Sequence, residues 1–182
     1  MKLLKFIFFL CVATSITSCS DNETDAMPFV LSNANISGAY NISSLNVDVK
    51  STSVIDVSGV PVPITAASST IGDTFDVEFI LKADGTYTAS GLYRTVTVIT
   101  TAIEDEGEQT FSEIKSITAS GTFTLNTTDA QITFFSALDN FLSGTFNILI
   151  FNETVLSLNQ EKEEVDDATT AEINMSIRFI RE

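Results

Sequence analysis

The chain has 182 residues and a formal net charge of −15, with no histidine, no tryptophan and two cysteines. The lack of histidine excludes Ser-His-Asp and Cys-His catalysis, histidine metal sites and histidine pH switches. The negative charge argues against nucleic acid and anionic lipid as partners, because both bind cationic patches. The composition therefore predicts a protein that is not an enzyme and holds no metal or other cofactor.

The N-terminal segment, residues 1–18, has the features of a secretory signal peptide. Lys2 and Lys5 provide positive charge, and an apolar run from residue 6 to residue 12 precedes small polar residues. The apolar run is about half as long as the roughly 20 residues that a membrane-spanning helix needs. We therefore predict a removable signal peptide and no spanning helix.

Residues 16–19 read Ile-Thr-Ser-Cys and resemble a bacterial lipobox, in which an aliphatic and two small residues precede a cysteine. The resemblance implies that the Cys19 thiol receives a diacylglyceryl group and that the amine freed by cleavage is acylated, with palmitate as the expected chain. Two or three acyl chains anchor a protein stably, whereas one does so only marginally. The alternative is an unmodified cysteine near an ordinary cleavage site. Because Cys11 lies in the removed segment, no internal disulfide or thiolate zinc cluster is expected.

A polar and acidic stretch, residues 20–25, follows Cys19. Residues 19–34 together are predicted to be the lipidated cysteine and a tether. An acidic run in this place resembles a tag that exports some lipoproteins, so we expect an outer-membrane protein that faces the cell exterior. The alternative is a solvated tether without an export signal.

The remaining sequence, residues 35–182, is rich in Thr, Ser, Val, Ile and Phe, and apolar and polar residues alternate along it. The alternating runs are 75–81, 87–89, 96–100, 117–125, 132–134, 146–150, 155–158 and 173–179. Turn signals separate several runs, and Asp84-Gly85 is typical of a hairpin. The pattern predicts one all-β domain of eight to ten antiparallel strands in meander order.

Four other stretches lie between or beside these runs. Residues 60–63 read Val-Pro-Val-Pro and are expected to form a loop or an edge strand, since proline donates no ladder hydrogen bond. Residues 136–142 are a candidate for a short helical turn. Residues 104–108 and 161–167 are acidic and are expected to be solvated loops. Weak calcium association and a carboxylate-based hydrolase are the alternatives for these acids.

Short motifs resemble those of bacterial lipocalin-like domain lipoproteins. They are Gly-Ala-Tyr at 38–40, Leu-Lys-Ala-Asp-Gly-Thr-Tyr at 81–87 and Ser-Gly-Thr-Phe at 143–146. The resemblance covers roughly residues 36–180 and implies a calycin-type, up-and-down barrel of about eight strands. A barrel of this size is either filled by side chains or holds one small ligand. A β-sandwich is the alternative fold.

A glycine followed two residues later by an aromatic ring recurs at Gly38, Gly91, Gly121 and Gly144. This arrangement fits a strand that bends sharply at a barrel end, with the ring covering the bend. We therefore expect these glycines at crowded or bent positions of strands.

Strand phase places a set of large side chains on the presumed inner face. The predicted core residues are Tyr40, Phe79, Tyr87, Phe123, Phe134, Phe146, Ile148, Met175, Ile177 and Phe179. The candidate ligand contacts inside the barrel are Tyr40, Phe79, Tyr87, Phe123 and Phe146.

The alternation of side chains on the last strand also predicts how the barrel closes. The resemblance implies that a basic residue near the C-terminus lies across the aromatic ring of the first strand, here Tyr40. Arg181 shares the phase of the inner stripe that ends at Phe179, whereas Arg178 points outward. We therefore predict a cation–π contact of Arg181 with Tyr40 that joins the last strand to the first.

Two functions agree with these predictions. The first is a lipid-anchored envelope lipoprotein whose domain binds a small apolar ligand or contacts an envelope protein. The second is a structural or interaction lipoprotein with a filled barrel and no ligand. An apolar cavity of about 300 Å³ or more would favour the first function, and a packed interior the second.

Overall fold

The structure is a computed structural model in which residues 29–101, 108–137, 141–166 and 169–182 are described. Its elements are α1 (Asn33–Ile36), β1 (Gly38–Val57), β2 (Val60–Leu81), β3 (Thr86–Thr101), β4 (Glu108–Asn126), β5 (Gln131–Ser136), β6 (Gly144–Phe151), β7 (Val155–Asp166) and β8 (Thr169–Arg181). Neighbouring strands pair antiparallel in chain order, and β8 pairs with β1 to close a barrel. The predicted all-β, up-and-down barrel of eight strands is confirmed.

The barrel has two unlike ends. The lower end holds α1, the C-terminus and the turns that follow β2, β4 and β6, and the upper end holds the turn between β1 and β2. β5 and β6 have only 6 and 8 residues, so they form only the lower part of the wall. Above them, within the described residues, β4 pairs only with β3 and β7 only with β8.

Alternation along the strands fills the lower barrel with large side chains. Eight of the ten predicted core residues are at most 3% exposed, namely Tyr40, Phe79, Tyr87, Phe123, Phe134, Phe146, Ile177 and Phe179. The other two, Ile148 and Met175, are half-buried and pack against this core. The predicted strand phase is therefore confirmed.

Residues 29–36 close the lower end. The Ser32 side chain caps α1 by accepting a hydrogen bond from the Asn35 N–H at 3.2 Å, and Ile36 is fully buried in the core. The Phe29 ring lies 4.8 Å from the Phe151 ring, between centroids. The packed structure thus begins at residue 29, before the domain boundary predicted at residue 35. It also contains a short helix that the sequence pattern did not indicate.

Residues 60–63 form part of an edge strand, which was one of the two expectations, and do not form a loop. They belong to β2, where Pro61 pairs with Asp56 and Pro63 with Val54. The pairing of β2 with β3 begins only at Ala66. One side of this stretch therefore has no strand neighbour among the described residues, which is where proline is tolerated.

The prediction of an acidic loop is wrong for residues 161–166. They continue β7 and pair with β8 from Glu161↔Asn174 to Asp166↔Thr169. Charged side chains on an exposed edge strand prevent pairing with other chains, so acidity here is compatible with a strand. The loop prediction is wrong for Glu108 too, which begins β4. Residues 104–107 and 167 lie outside the described residues. So do residues 138–140 of the candidate helical turn, whose described residues 136, 137, 141 and 142 are not helical.

Two of the recurring glycines lie where strands touch closely. A Cβ atom built on Gly121 would lie 2.1 Å from the Phe135 carbonyl oxygen. One built on Gly91 would lie 2.0 Å from the carbonyl oxygen of Asp76. Both distances are far below van der Waals contact, so the backbone approaches at these points only because a side chain is absent.

Candidate functional site

The interior contains a cavity of about 410 Å³ above the aromatic core. Its floor consists of the buried residues Leu45, Ile117, Leu142 and Ile177. Its wall adds Val47, Thr70, Tyr93, Thr95, Lys115, Ser116, Phe141 and Met175. The volume lies within the range of small-molecule sites, which is about 300–1,000 Å³.

The cavity exists because inward-facing side chains on neighbouring strands become small at this level. At the level of the cavity, Thr70 of β2 and Thr95 of β3 face the interior. Lower down on the same two strands, Phe79 and Tyr87 fill it. The Thr70 and Thr97 hydroxyls share a hydrogen bond at 2.8 Å, and the Thr95 hydroxyl donates to the Glu113 carbonyl at 3.5 Å. The Thr95 hydroxyl thus has its donor satisfied within the protein, and its methyl group adds to the apolar lining.

The wall of the cavity carries one charged side chain. Lys115 lies there with its Nζ atom 3.4 Å from the Glu113 carboxylate, and both side chains are largely exposed. An exposed pair of this kind contributes at most about 1 kcal/mol. Aromatic surface is the larger feature, since the Tyr93 and Phe141 ring centroids are 6.1 Å apart. The arrangement suits a compact apolar molecule with a polar group near the rim.

The five predicted ligand contacts do not line this cavity. Tyr40, Phe79, Tyr87, Phe123 and Phe146 lie below it, where their rings pack on one another or on Phe134 and Phe179. The Tyr87 hydroxyl, for example, donates to the Leu142 carbonyl at 3.3 Å, directly beneath the cavity floor. Strand phase identified which residues face inward but not how high each lies. The run of inward threonines on β2 and β3 was the signal that could have located the site.

The structure contains the closure contact between Arg181 and Tyr40. The Cζ atom of Arg181 lies 5.1 Å from the Tyr40 ring centroid and 5.6 Å from that of Phe29. The guanidinium donates hydrogen bonds to the Asn35 carbonyl and, at 2.6 Å, to the Tyr40 hydroxyl. Because Tyr40 and Arg181 are also a register pair of β1 and β8, the contact lies on the seam of the barrel.

Burial sets the protonation of the tyrosine at this seam. It raises the pKa of the Tyr40 hydroxyl above its ordinary value, while the hydrogen bond and charge of Arg181 act in the opposite direction. The hydroxyl therefore stays protonated at neutral pH and donates to the Ile36 carbonyl at 2.7 Å. Arg181 thus meets a neutral ring and not a phenolate.

Replacing Arg181 with Met should lower the free energy of unfolding by about 1–3 kcal/mol, because the Asn35 carbonyl loses its donor and the cation–π contact is lost. Urea unfolding followed by circular dichroism measures this change. Arg178→Met is the matched control on the outer face of the same strand and should change the value by less than about 0.5 kcal/mol. Equal effects of the two substitutions would contradict a specific role for Arg181.

A second, larger cavity of about 680 Å³ is lined by residues of β1, β2, β3, β7 and β8 near the upper end. None of its lining residues is buried, and charged side chains such as Asp48, Glu161 and Glu172 surround it. In the described part of the chain every Asp and Glu is exposed, and no group of three or more could hold a metal ion. The smaller cavity, with its buried apolar floor, is the better candidate site.

Cys19 and the acidic residues after it lie outside the described residues. Among the helices that the structure describes, none has the length and apolar composition needed to cross a membrane. Comparisons with family models, with curated proteins and with solved structures find no significant match.

Proposed function

We propose that this chain is a lipid-anchored envelope lipoprotein whose lipocalin-like barrel binds one small apolar molecule in the upper cavity. The observation that supports ligand binding is the 410 Å³ cavity with a floor of buried aliphatic side chains. The proposal assigns the chain no reaction and no cofactor. Its ligand contacts are the cavity residues, and the deeper aromatic residues act as the support beneath them.

Apolar contact is the expected source of affinity. Burial of apolar surface stabilises a complex by about 25 cal/mol per Å², and association itself opposes binding by several kcal/mol. A ligand that fills only this cavity is therefore expected to bind with a Kd of about 1–100 µM. Tyr93, Phe141 and Met175 offer flat or polarizable contacts, which favour a ring-containing ligand.

Filling the cavity with protein atoms should abolish this binding. We expect the neutral fluorophore N-phenyl-1-naphthylamine to bind the mature chain with increased emission, and Val47→Trp to weaken its binding at least about tenfold by occupying the space. Leu149→Trp is the control, because Leu149 is 62% exposed on the outer wall. Absent binding, or equal binding by both variants, would contradict a ligand in this cavity.

The second function is a structural or interaction lipoprotein without a ligand. The observation that favours it is the filled lower barrel. There the ring centroids of Phe79, Tyr87 and Phe134 lie within 6.1 Å of one another. The same titration separates the two functions, since a chain without a ligand would give no emission change in any variant.

Anchoring through Cys19 follows from its lipobox-like setting. Cys19→Ser should leave the precursor unlipidated and release the protein from the membrane fraction, because no acyl chains are attached. Intact-mass analysis of the mature protein measures the added acyl groups directly. A mature wild-type chain with an unmodified residue 19 would contradict the proposal.

Exposure on the cell exterior, from the outer membrane, is a separate part of the proposal. It rests on the acidic residues Asp21, Glu23 and Asp25 directly after the cysteine. Replacing all three with alanine is expected to reduce the access of added protease to the protein on intact cells, while Cys19 acylation is unchanged. Equal protease access would contradict an export tag.

A further inference from the structure

The β1–β2 hairpin ends in a tip, residues 54–63, that stands above the rest of the described barrel. The pairing of β1 with β8 stops at Ser53↔Thr169, and β2 pairs with β3 only from Ala66 onward. Four residues of β1, from Val54 to Val57, thus extend beyond their outer neighbours. At about 3.3 Å per residue the tip protrudes by about 13 Å.

The tip carries apolar side chains on both faces. Its five aliphatic side chains are between 37% and 59% exposed. In the register of the hairpin, one face carries Ile55, Val57, Val60 and Val62, and the other carries Val54, Pro61, Pro63 and the charged Asp56. A flat or one-sided partner would cover only one of these faces, so the tip suits a medium that surrounds it.

The backbone of the tip is also suited to an apolar medium. Ser58 and Gly59 have φ values of 58° and 85°, as in a two-residue hairpin turn of type I′. With this turn, Pro61 and Pro63 take the positions whose N–H groups would point away from β1, so the edge that has no strand neighbour among the described residues lacks two donors. The Asp56 carboxylate accepts the Gly59 N–H at 2.6 Å.

We propose that this tip inserts into the apolar boundary of a lipid bilayer. Hydrocarbon strongly disfavours backbone donors without partners, and prolines remove two of them here. The protrusion of about 13 Å is sufficient for the 5–10 Å depth at which interfacial elements bury their apolar face. The net charge of −15 excludes attraction to anionic lipid, so a zwitterionic surface is the expected target.

The tip lies at the upper end, opposite the point where the chain enters β1. Its insertion therefore needs no acylation of Cys19, and it is independent of a ligand in the cavity. The two membrane contacts are separable by experiment, because Cys19→Ser removes the first and leaves the tip intact.

The test uses the mature chain with Cys19→Ser, which contains no cysteine. A single new cysteine, Val60→Cys, is labelled with the environment-sensitive fluorophore NBD and mixed with phosphatidylcholine vesicles. We expect a blue shift and at least about a twofold rise in emission as the label enters lipid. Leu92→Cys is the matched control, since Leu92 is 51% exposed on the barrel wall and Val60 is 59% exposed, and its label should not respond.

Vesicle flotation gives a second readout. Replacing Ile55, Val57 and Val60 with Ser should reduce flotation about tenfold, whereas replacing Ile71, Leu92 and Ile114, which are exposed on the wall, should leave it unchanged. The proposal is overturned if the Val60 label does not respond to vesicles or if both triple variants float equally. It is also overturned if sedimentation shows that the tip binds a second copy and the chain ignores vesicles.

Discussion

Phe79→Ala should lower the free energy of unfolding by about 3–5 kcal/mol, the range for removing a buried phenylalanine ring. The Phe79 side chain is fully buried, and its ring centroid lies 4.7 Å from that of Phe179 and 5.9 Å from that of Tyr87. These rings come from β2, β3 and β8, whose backbones are held by hydrogen bonds in the closed barrel, so the wall cannot collapse into the space. Urea unfolding, followed by tyrosine fluorescence in this chain without tryptophan, measures the change.

Phe135→Ala is the control for this experiment. Phe135 is the next residue after the buried Phe134 on β5, yet it points outward and is 54% exposed. Its removal should change the free energy of unfolding by less than about 0.5 kcal/mol. Similar values for the two phenylalanines would show that the strand phase of the described barrel is wrong.

Gly121→Ala should destabilise the barrel by about 3 kcal/mol, although it adds only one methyl group. The added carbon would lie 2.1 Å from the Phe135 carbonyl oxygen and 2.9 Å from the Tyr87 ring, and the first of these is backbone that cannot turn aside. Relief requires β4 and β5 to separate at this point, which loosens the wall beside the core. A thermal melt of the variant measures the effect as a lower Tm.

Gly59→Ala separates this steric effect from the loss of glycine flexibility. Gly59 has a φ of +85° and nothing lies within 4 Å of an added Cβ. Its substitution should therefore cost only the left-handed backbone penalty of about 1–2 kcal/mol. A loss at Gly121 smaller than that at Gly59 would contradict the close approach of the two strands.

The inward side of the strands could be predicted from the sequence because side chains alternate with a period of two. Met175, Ile177 and Phe179 form one stripe, and counting two residues further selected Arg181 over Arg178 as the inward-facing arginine, whose contact with Tyr40 the structure contains. The same rule restricts the register across the seam, since slipping by one residue would turn the stripe outward, but a slip of two residues would keep it inward. Periodicity was therefore enough for the all-β class and for the inward face of each strand, whereas the closed barrel and the choice of Tyr40 as the partner came from the family resemblance.

The extent of each strand could not be predicted in the same way. Residues 161–166 look like a loop by composition, but pairing with β8 decides their structure. The cavity depends on the short β5 and β6 and on where Thr70 and Thr95 fall along the barrel axis. Such positions arise from shear and strand length around the whole barrel, which local patterns do not encode.

The binding of an apolar ligand in the upper cavity is tested most directly by methyl NMR of the mature chain during titration with N-phenyl-1-naphthylamine. The predicted result is a set of saturating shifts at Val47, Ile117 and Met175, which line the cavity, while the exposed Leu92 and Leu149 stay unshifted. Shifts that are absent, or that occur only on the outer wall, would contradict a ligand-binding barrel.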